Sequence, residues 1–148
     1  MKRMSDILKY TKTVSLRVIH EGEYNNGEQV SVHQYNSNWI KQVIDESIKM
    51  GNYRIGVING DCFEVCYIGR ATDQTLQERM LQHPEYEKDK YYFFAKSAKN
   101  EDAAINQECI DYHSFGGVEG FLDNIYHPAL HDGEHCPWED CDHVGCEL

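Results

Sequence analysis

A turn signal at Asn59-Gly60-Asp61, between two stretches rich in β-branched and aromatic residues, constrains the fold of this 148-residue chain more than any other feature. Asn-Gly dipeptides favour the tight turns that join antiparallel strands. We therefore predict strands over residues 54–59 and 63–68. A helix-like stretch follows, capped at residue 72 or 73 and ending before Pro84. This order of elements is expected to bring side chains from both strands and from the helix toward one surface.

Four side chains on these segments have the chemistry of phosphodiester hydrolysis. Tyr53 and Tyr67 accompany the two strands, and Arg79 and His83 lie four residues apart, on one face of the predicted helix. Hydrolysis needs an activated water, a cation for the developing charge, and an acid or metal for the leaving oxygen. Each residue alone also has an ordinary interpretation: packed aromatics, a solvated or ion-paired arginine, and a histidine at a helix C-terminus.

The order of these motifs resembles the GIY-YIG nuclease superfamily over residues 51–128. Gly51-Asn52-Tyr53 stands where the family has Gly-Ile-Tyr, and Tyr67-Ile68-Gly69 matches the second half of the family name literally. Arg79 lies on what looks like the family's first helix. Glu108 stands where the family has its metal-binding glutamate.

Three departures from the family pattern accompany this resemblance. Asn52 replaces an aliphatic residue, and the gap between the two tyrosines is a little longer than usual. The gap from Glu108 to Asn124 is also stretched, by the Gly116-Gly117 segment. Asn124 resembles the asparagine that closes the motif set, and a turn residue is the competing interpretation.

The resemblance implies an α/β (α+β) fold, in which a small, mainly antiparallel sheet is flanked by helices. The chain length suits one domain with a single core. Within it we expect an N-terminal hairpin–helix extension (residues 1–50), a catalytic core (51–128) and an acidic tail rich in Cys and His (129–148).

The implied activity is metal-dependent cleavage of DNA, duplex or branched, by an enzyme of which many relatives act as homodimers. Tyr53 would position or deprotonate the attacking water, helped by Tyr67 and by His83. Arg79 would grip the scissile phosphate as a bidentate cation.

Glu108 would hold one Mg²⁺ or Mn²⁺, with water and phosphate oxygens completing the coordination shell. Glu101, seven residues earlier on the same helix face, competes for this role. Glu108 is preferred because it lies mid-helix among apolar residues. Arg70, directly after Tyr67-Ile68-Gly69, is expected to contact phosphate.

The net charge of −11 opposes nucleic-acid binding, since a polyanion is normally bound by a basic surface. Two alternatives therefore stay open: a catalytically inactive interaction module that binds protein partners, and an RNA-cleaving enzyme. The charge is uneven, because residues 134–148 contain no Lys or Arg while several lysines follow Arg79. A local basic face beside the predicted site is compatible with this pattern.

The tail is the second candidate metal site. Cys136, Cys141 and Cys146 fall within the last thirteen residues, among several histidines. Thiolate and imidazole ligands suit a tetrahedral zinc ion. Two interpretations stay open: a structural Zn²⁺ held by the three cysteines and one histidine, and a flexible tail of reduced thiols.

The rest of the chain predicts further elements. Strands over 13–20 and 29–33 would be joined by a turn at Asn25-Asn26-Gly27, and a helix would run from residue 37 or 38 to about 50. A central strand over 91–95 and a helix over 101–113 follow. Without an apolar run or a secretory pattern in this sequence, we expect no membrane span and a cytoplasmic location.

Overall fold

The computed structural model describes residues 11–20, 23–117, 122–124, 127–131, 133–138, 141 and 143–145. The described residues form five strands: β1 (Thr11–His20), β2 (Glu23–Gln34), β3 (Gly51–Asn59), β4 (Cys62–Ala71) and β5 (Tyr91–Ser97). They also form three α-helices: α1 (Ser37–Val43), α2 (Leu76–Met80) and α3 (Glu101–Ser114). A 3₁₀ turn covers Pro84–Tyr86.

The strands close into a barrel in the order β1-β2-β5-β3-β4. β3 pairs antiparallel with both β4 and β5, and β5 pairs antiparallel with β2. A short parallel pairing of β1 with β4, at Ser15–Cys62 and Leu16–Phe63, completes the ring. The predicted α/β (α+β) fold, a small sheet flanked by helices, is therefore wrong: the protein is a closed five-stranded barrel with few helices.

The N-terminal hairpin explains this difference. Residues 1–50 were assigned to an extension, but β1 and β2 supply two walls of the barrel. Val14, Leu16 and Val32 lie in one buried cluster with Phe63 and Phe94. A hairpin alone is at best marginally stable in water, so these apolar side chains become buried only when β1 and β2 join the other strands.

Several predicted elements are confirmed. β3 and β4 form the expected hairpin, with Gly60 at a positive φ of 62° in its turn. β5 lies between β2 and β3, as expected for a central strand. Asn100 caps α3 by accepting a hydrogen bond from the backbone N–H of Ala103 at 2.8 Å.

Other predicted boundaries are wrong. Asn25-Asn26-Gly27 lies within β2, and Asn25 and Asn26 pair with β1 rather than turning the chain. α1 ends at Val43, seven residues early, because Ile44 adopts an extended conformation. α2 begins only after Thr75, whose hydroxyl forms a capping box with Glu78.

Two apolar cores pack against the barrel wall. One joins β1, β2 and β4 to α3 and includes Tyr112 and Phe115 at the C-terminal end of that helix. The other lies beneath α1 and α2 and contains Tyr53, Ile55 and Phe93. Alternate residues of β3 face the two sides, so that helices from both cores converge on the end of the β3–β4 hairpin where the predicted site residues lie.

Candidate functional site

A polar pocket of about 310 Å³ opens where the end of β4 meets α2 and α3. Two guanidinium groups and one buried carboxylate belong to its wall. The lining residues are Arg70, Ala71, Thr72, Asp73, Gln74, Arg79, Glu108, Pro128 and Ala129. Three of the residues that the sequence singled out, Arg70, Arg79 and Glu108, are therefore brought together by three different elements.

Glu108 is largely shielded from solvent and lies beside one cation. Its side chain is 13% exposed, and its Oε1 accepts a hydrogen bond from Arg70 Nη1 at 3.0 Å. Burial raises the pKa of Glu108 to about 7, against the opposing effect of Arg70. Glu101, the competing metal ligand, is 46% exposed and pairs with His131 instead. The structure thus distinguishes the two glutamates by their exposure to solvent, whereas the sequence offered only a preference for Glu108.

Arg79 lines the pocket, and its guanidinium group has a neutral hydrogen-bond partner rather than a carboxylate among the described residues. Its Nη1 donates to Gln82 Oε1 at 3.1 Å, and no carboxylate of the described residues lies within ion-pairing distance of the guanidinium. Gln82 is itself held by a reciprocal amide pair with Gln74, at 3.1 and 2.8 Å. An arginine supported by neutral amides keeps its charge available for an anion.

A phenol–imidazole group lies behind this pocket. Tyr53 is fully buried on β3, and its hydroxyl is 2.6 Å from His83 Nε2. His83 Nδ1 faces Glu85 Oε1 at 3.5 Å. The sequence placed His83 on the same helix as Arg79, but α2 ends at Met80 and His83 precedes the 3₁₀ turn. His83 reaches the group from this connection.

Tyr67 is the phenol nearer to solvent. It is half-buried, its ring stacks on Tyr53 with centroids 6.2 Å apart, and it lies 4.8 Å from the His83 ring. Tyr53 and Tyr67 are also close enough for each phenol to influence the pKa of the other. Burial raises the pKa of both phenols and lowers the pKa of His83, which keeps all three groups neutral near pH 7. A connected row of neutral donors and acceptors can relay a proton.

The electrostatic influence of Arg79 connects this row to the pocket. Its positive charge lowers the pKa of Tyr53, Tyr67 and His83, although in each of them burial is the larger effect. It also opposes the rise in the pKa of Glu108. Arg79 is therefore close enough to influence Tyr53, Tyr67, His83 and Glu108 together.

Asn124 does not line the pocket but lies against β4, beside the Tyr67-Ile68-Gly69 segment. Its Oδ1 accepts from the backbone N–H of Ile68 and its Nδ2 donates to the carbonyl of Ile68, both at 3.0 Å. The amide thus pairs with β4 as a neighbouring strand would. Asn52, which departs from the family pattern, donates to the carbonyl of Ala104 at 2.9 Å and so ties β3 to the helix that carries Glu108.

A group of two histidines and two cysteines that can hold a metal ion lies at the far end of α3. It consists of His113, His127, Cys136 and Cys141, whose ligand atoms all lie within 4.8 Å of one another. We call these residues the Cys/His cluster. Cys136 and Cys141 were predicted as ligands, whereas Cys146 lies outside the described residues.

The sequence did not single out His113 as a ligand. It belongs to a helix, fourteen residues before His127, and so lies outside the tail in which ligands were sought. The sequence signal for this site was the presence of two histidines, His113 and His127, before the two cysteines. Because loops separate these four residues, their spacing along the chain does not show that they meet in the fold.

Comparisons with known protein families, with curated proteins and with solved structures find no match for this chain. Among the described residues, no helix is long and apolar enough to cross a membrane.

Proposed function

We propose that this protein is a metal-dependent endonuclease that hydrolyses DNA phosphodiester bonds by a mechanism like that of the GIY-YIG nucleases. The observation that carries the proposal is the shared pocket of Arg79 and Glu108, a cation without a carboxylate partner among the described residues and a buried carboxylate. The row of Tyr67, Tyr53 and His83 behind them supplies the proton acceptor that hydrolysis also requires.

Each residue has a role that follows from its position. The attacking water gives its proton to the Tyr67 oxygen, while Tyr67 passes its own proton to Tyr53 and Tyr53 passes one to His83 Nε2. The imidazolium formed is stabilised by Glu85 on its other nitrogen. Arg79 neutralises the charge that grows on the phosphate as the bond to the leaving oxygen breaks.

Two classes of ion belong to the proposal. Glu108 offers a carboxylate in a roomy polar pocket that Asp73 also lines, a donor set that suits Mg²⁺ or Mn²⁺ retaining most of their waters. When bound there, the ion supplies positive charge to the phosphate and the leaving oxygen. The thiolates of the Cys/His cluster favour zinc instead, as an ion with no part in the reaction.

A reducing compartment such as the cytoplasm suits these thiols. Cys66, Cys109, Cys136 and Cys141 are all free thiols. Reduced cysteines persist where glutathione and thioredoxin keep them so.

The net charge of −11 favours a second candidate, an interaction module without catalysis. A strongly acidic surface repels nucleic acid and suits basic protein partners. The two candidates differ in one respect that can be measured, because only the nuclease needs Arg79 and Glu108 to act on a phosphodiester.

Plasmid nicking in Mg²⁺ or Mn²⁺ tests the proposal, with wild type beside Arg79→Ala and Glu108→Ala. Each variant should lose at least about a hundredfold in rate, the scale expected for removing one preorganised electrostatic group. Glu101→Ala is the matched control, because it removes an exposed glutamate from the same helix and should keep full activity.

Three results would contradict this assignment. Cutting that survives in both variants would mean that the site is misplaced. Cutting of single-stranded RNA but not of DNA would reassign the substrate. No cutting of duplex or single strands by the wild type, with either ion, would favour the interaction module.

A further inference from the structure

The Cys/His cluster has the composition of a complete structural metal site. We propose that His113, His127, Cys136 and Cys141 together bind one Zn²⁺ ion, and that this ion fastens the chain after α3 to the barrel. The binding site does not depend on the proposed nuclease function, since none of its four ligands lines the phosphodiester pocket.

The spacing of the ligand atoms fits a tetrahedral ion. Zinc bonds of about 2.3 Å to sulfur and about 2.0–2.1 Å to nitrogen place neighbouring ligand atoms about 3.3–3.8 Å apart. Cys136 Sγ lies 3.5 Å from His113 Nε2, and Cys141 Sγ lies 3.5 Å from His127 Nε2. All four atoms fall within 4.8 Å of one another, so only small movements would close the set around an ion.

Neighbouring groups support these ligands as metal sites require. His127 Nδ1 is 2.9 Å from the carbonyl oxygen of Pro128, which leaves Nε2 as the ligand nitrogen. The backbone N–H of His143 donates to Cys141 Sγ at 3.5 Å. Trp138 stacks on the His113 ring with centroids 5.3 Å apart, shielding one side of the site.

The site would also fix one wall of the catalytic pocket. His127 immediately precedes Pro128 and Ala129, which line that pocket. The carbonyl of Ala129 accepts a hydrogen bond from Arg70 Nη1 at 2.7 Å, and the same nitrogen holds Glu108. Zinc bound to His127 therefore stabilises the segment on which Arg70 rests.

Metal analysis of the full chain tests the site. Wild-type protein should contain about one zinc ion per chain. Cys136→Ser and His127→Ala should each lose most of it, and Cys66→Ser, which changes a free thiol on β4 outside the cluster, is the matched control and should keep it. No zinc in the wild type, or equal loss in Cys66→Ser, would overturn the proposed ligand set.

A second measurement uses wild-type protein alone, in case the ligand variants fail to fold. After removal of zinc by a chelator, the chain should take up one Co²⁺ and develop the absorption of thiolate–cobalt bonds; a chain that shows no such absorption would contradict the site. The stripped protein should also be cut by a glutamate-specific protease after the exposed Glu134, and zinc should restore protection. Cutting at the same rate with and without zinc would contradict the fastening role.

These measurements stand apart from the test of the nuclease. A protein that binds zinc but never cuts nucleic acid would leave the metal site intact and reject only the proposed function. Restored zinc should return any nicking activity that the chelator removed, provided Mg²⁺ is present; activity that never depends on zinc would contradict the effect on the pocket wall.

Discussion

At the scale of single residues, two buried groups are held in environments that oppose their charged forms. Burial raises the pKa of Glu108 to about 7 and raises the pKa of Tyr53. Such environments destabilise the folded chain whenever the group must ionise, so they are more frequent at functional sites than elsewhere. Because burial also raises the pKa of Tyr35 and Cys66, these shifts support the candidate site only together with the shared pocket and the contact between Tyr53 and His83.

Glu108 should make the folded protein less stable as the pH rises. The folded state keeps its proton up to about pH 7, whereas the unfolded chain releases it near its ordinary pKa of 4.5. The free energy of unfolding therefore falls between those two values. In metal-free buffer, Glu108→Gln should match wild type near pH 5 and be about 1–3 kcal/mol more stable at pH 8.

Denaturant unfolding at both pH values measures this difference. Glu101→Gln serves as the control, because its exposed carboxylate should leave the pH profile unchanged. An identical pH profile for wild type and Glu108→Gln would show that Glu108 ionises normally.

Tyr53→Phe should separate catalysis from packing. The ring remains in its core, but the hydrogen bond to His83 Nε2 is lost, and nicking should fall about a hundredfold or more. Tyr35→Phe is the matched control: it removes a phenol hydroxyl from the same apolar core, one that donates to the Met80 carbonyl. Equal loss of activity in both variants, measured at equal stability, would assign Tyr53 a structural role only.

At the scale of elements, the β3–β4 hairpin and α3 position the site between them. Gly69 on β4 gives space to the Tyr53 ring, because a Cβ atom there would lie 2.3 Å from Tyr53 Cζ. Arg54 on β3 donates from Nε and Nη2 to the carboxylate of Asp111 on α3, at 2.7 and 2.6 Å. Both contacts fix the distance between the phenols and Glu108.

Gly69→Ala should destabilise the protein by about 1–3 kcal/mol, since either the Tyr53 ring or β4 must move. Thermal or denaturant unfolding gives the value, and nicking should fall with it. Gly60→Asn is the control: Gly60 has a positive φ of 62° with open space around it, and asparagine tolerates that conformation. A neutral Gly69→Ala would mean that the two strands have more room than the structure shows.

Arg54→Met should leave the buried Asp111 without its cation and cost about 3–5 kcal/mol of stability. Replacing both partners with Arg54→Met and Asp111→Leu should recover much of that loss, because no uncompensated charge remains. Denaturant unfolding of the single and double variants measures the coupling. Additive losses in the double variant would show that the pair does not hold α3 in place.

At the scale of the whole molecule, the acidic charge should limit how nucleic acid binds. If nucleic acid binds at the pocket, Arg70 and Arg79 are the cations of its lining that can contact phosphates, against a net charge of −11 over the whole chain. Each neutralised phosphate contributes about one unit to the slope of log affinity against log salt concentration.

DNA binding should therefore show a shallow slope, about −1 to −3, and Arg79→Gln should reduce its magnitude by about one unit. Titrations of a labelled duplex over a range of salt concentrations, with Ca²⁺ in place of Mg²⁺ to prevent cleavage, provide the slope. Lys49→Gln, which neutralises an exposed cation outside the pocket lining, is the control. Equal slopes for wild type and Arg79→Gln would remove Arg79 from the phosphate contact.

The sequence alone was sufficient for some of the local elements and for the identity of the chemical groups. The Asn59-Gly60 turn specified the β3–β4 hairpin, and Asn100 specified the start of α3, because turns and caps depend on neighbouring residues. The same local pattern nominated Tyr53, Arg79 and Glu108. Whether these groups cleave a phosphodiester remains a prediction.

The tertiary structure decided what depends on distant partners. Closure of the barrel needs the pairing of β1 with β4 and of β2 with β5, and the alternating pattern of a strand does not say which edge it will join. The same limit hid His113, which meets Cys136 only because the chain folds back on α3. The difference between Glu101 and Glu108 is likewise one of burial, a property that arises only when helix and barrel pack together.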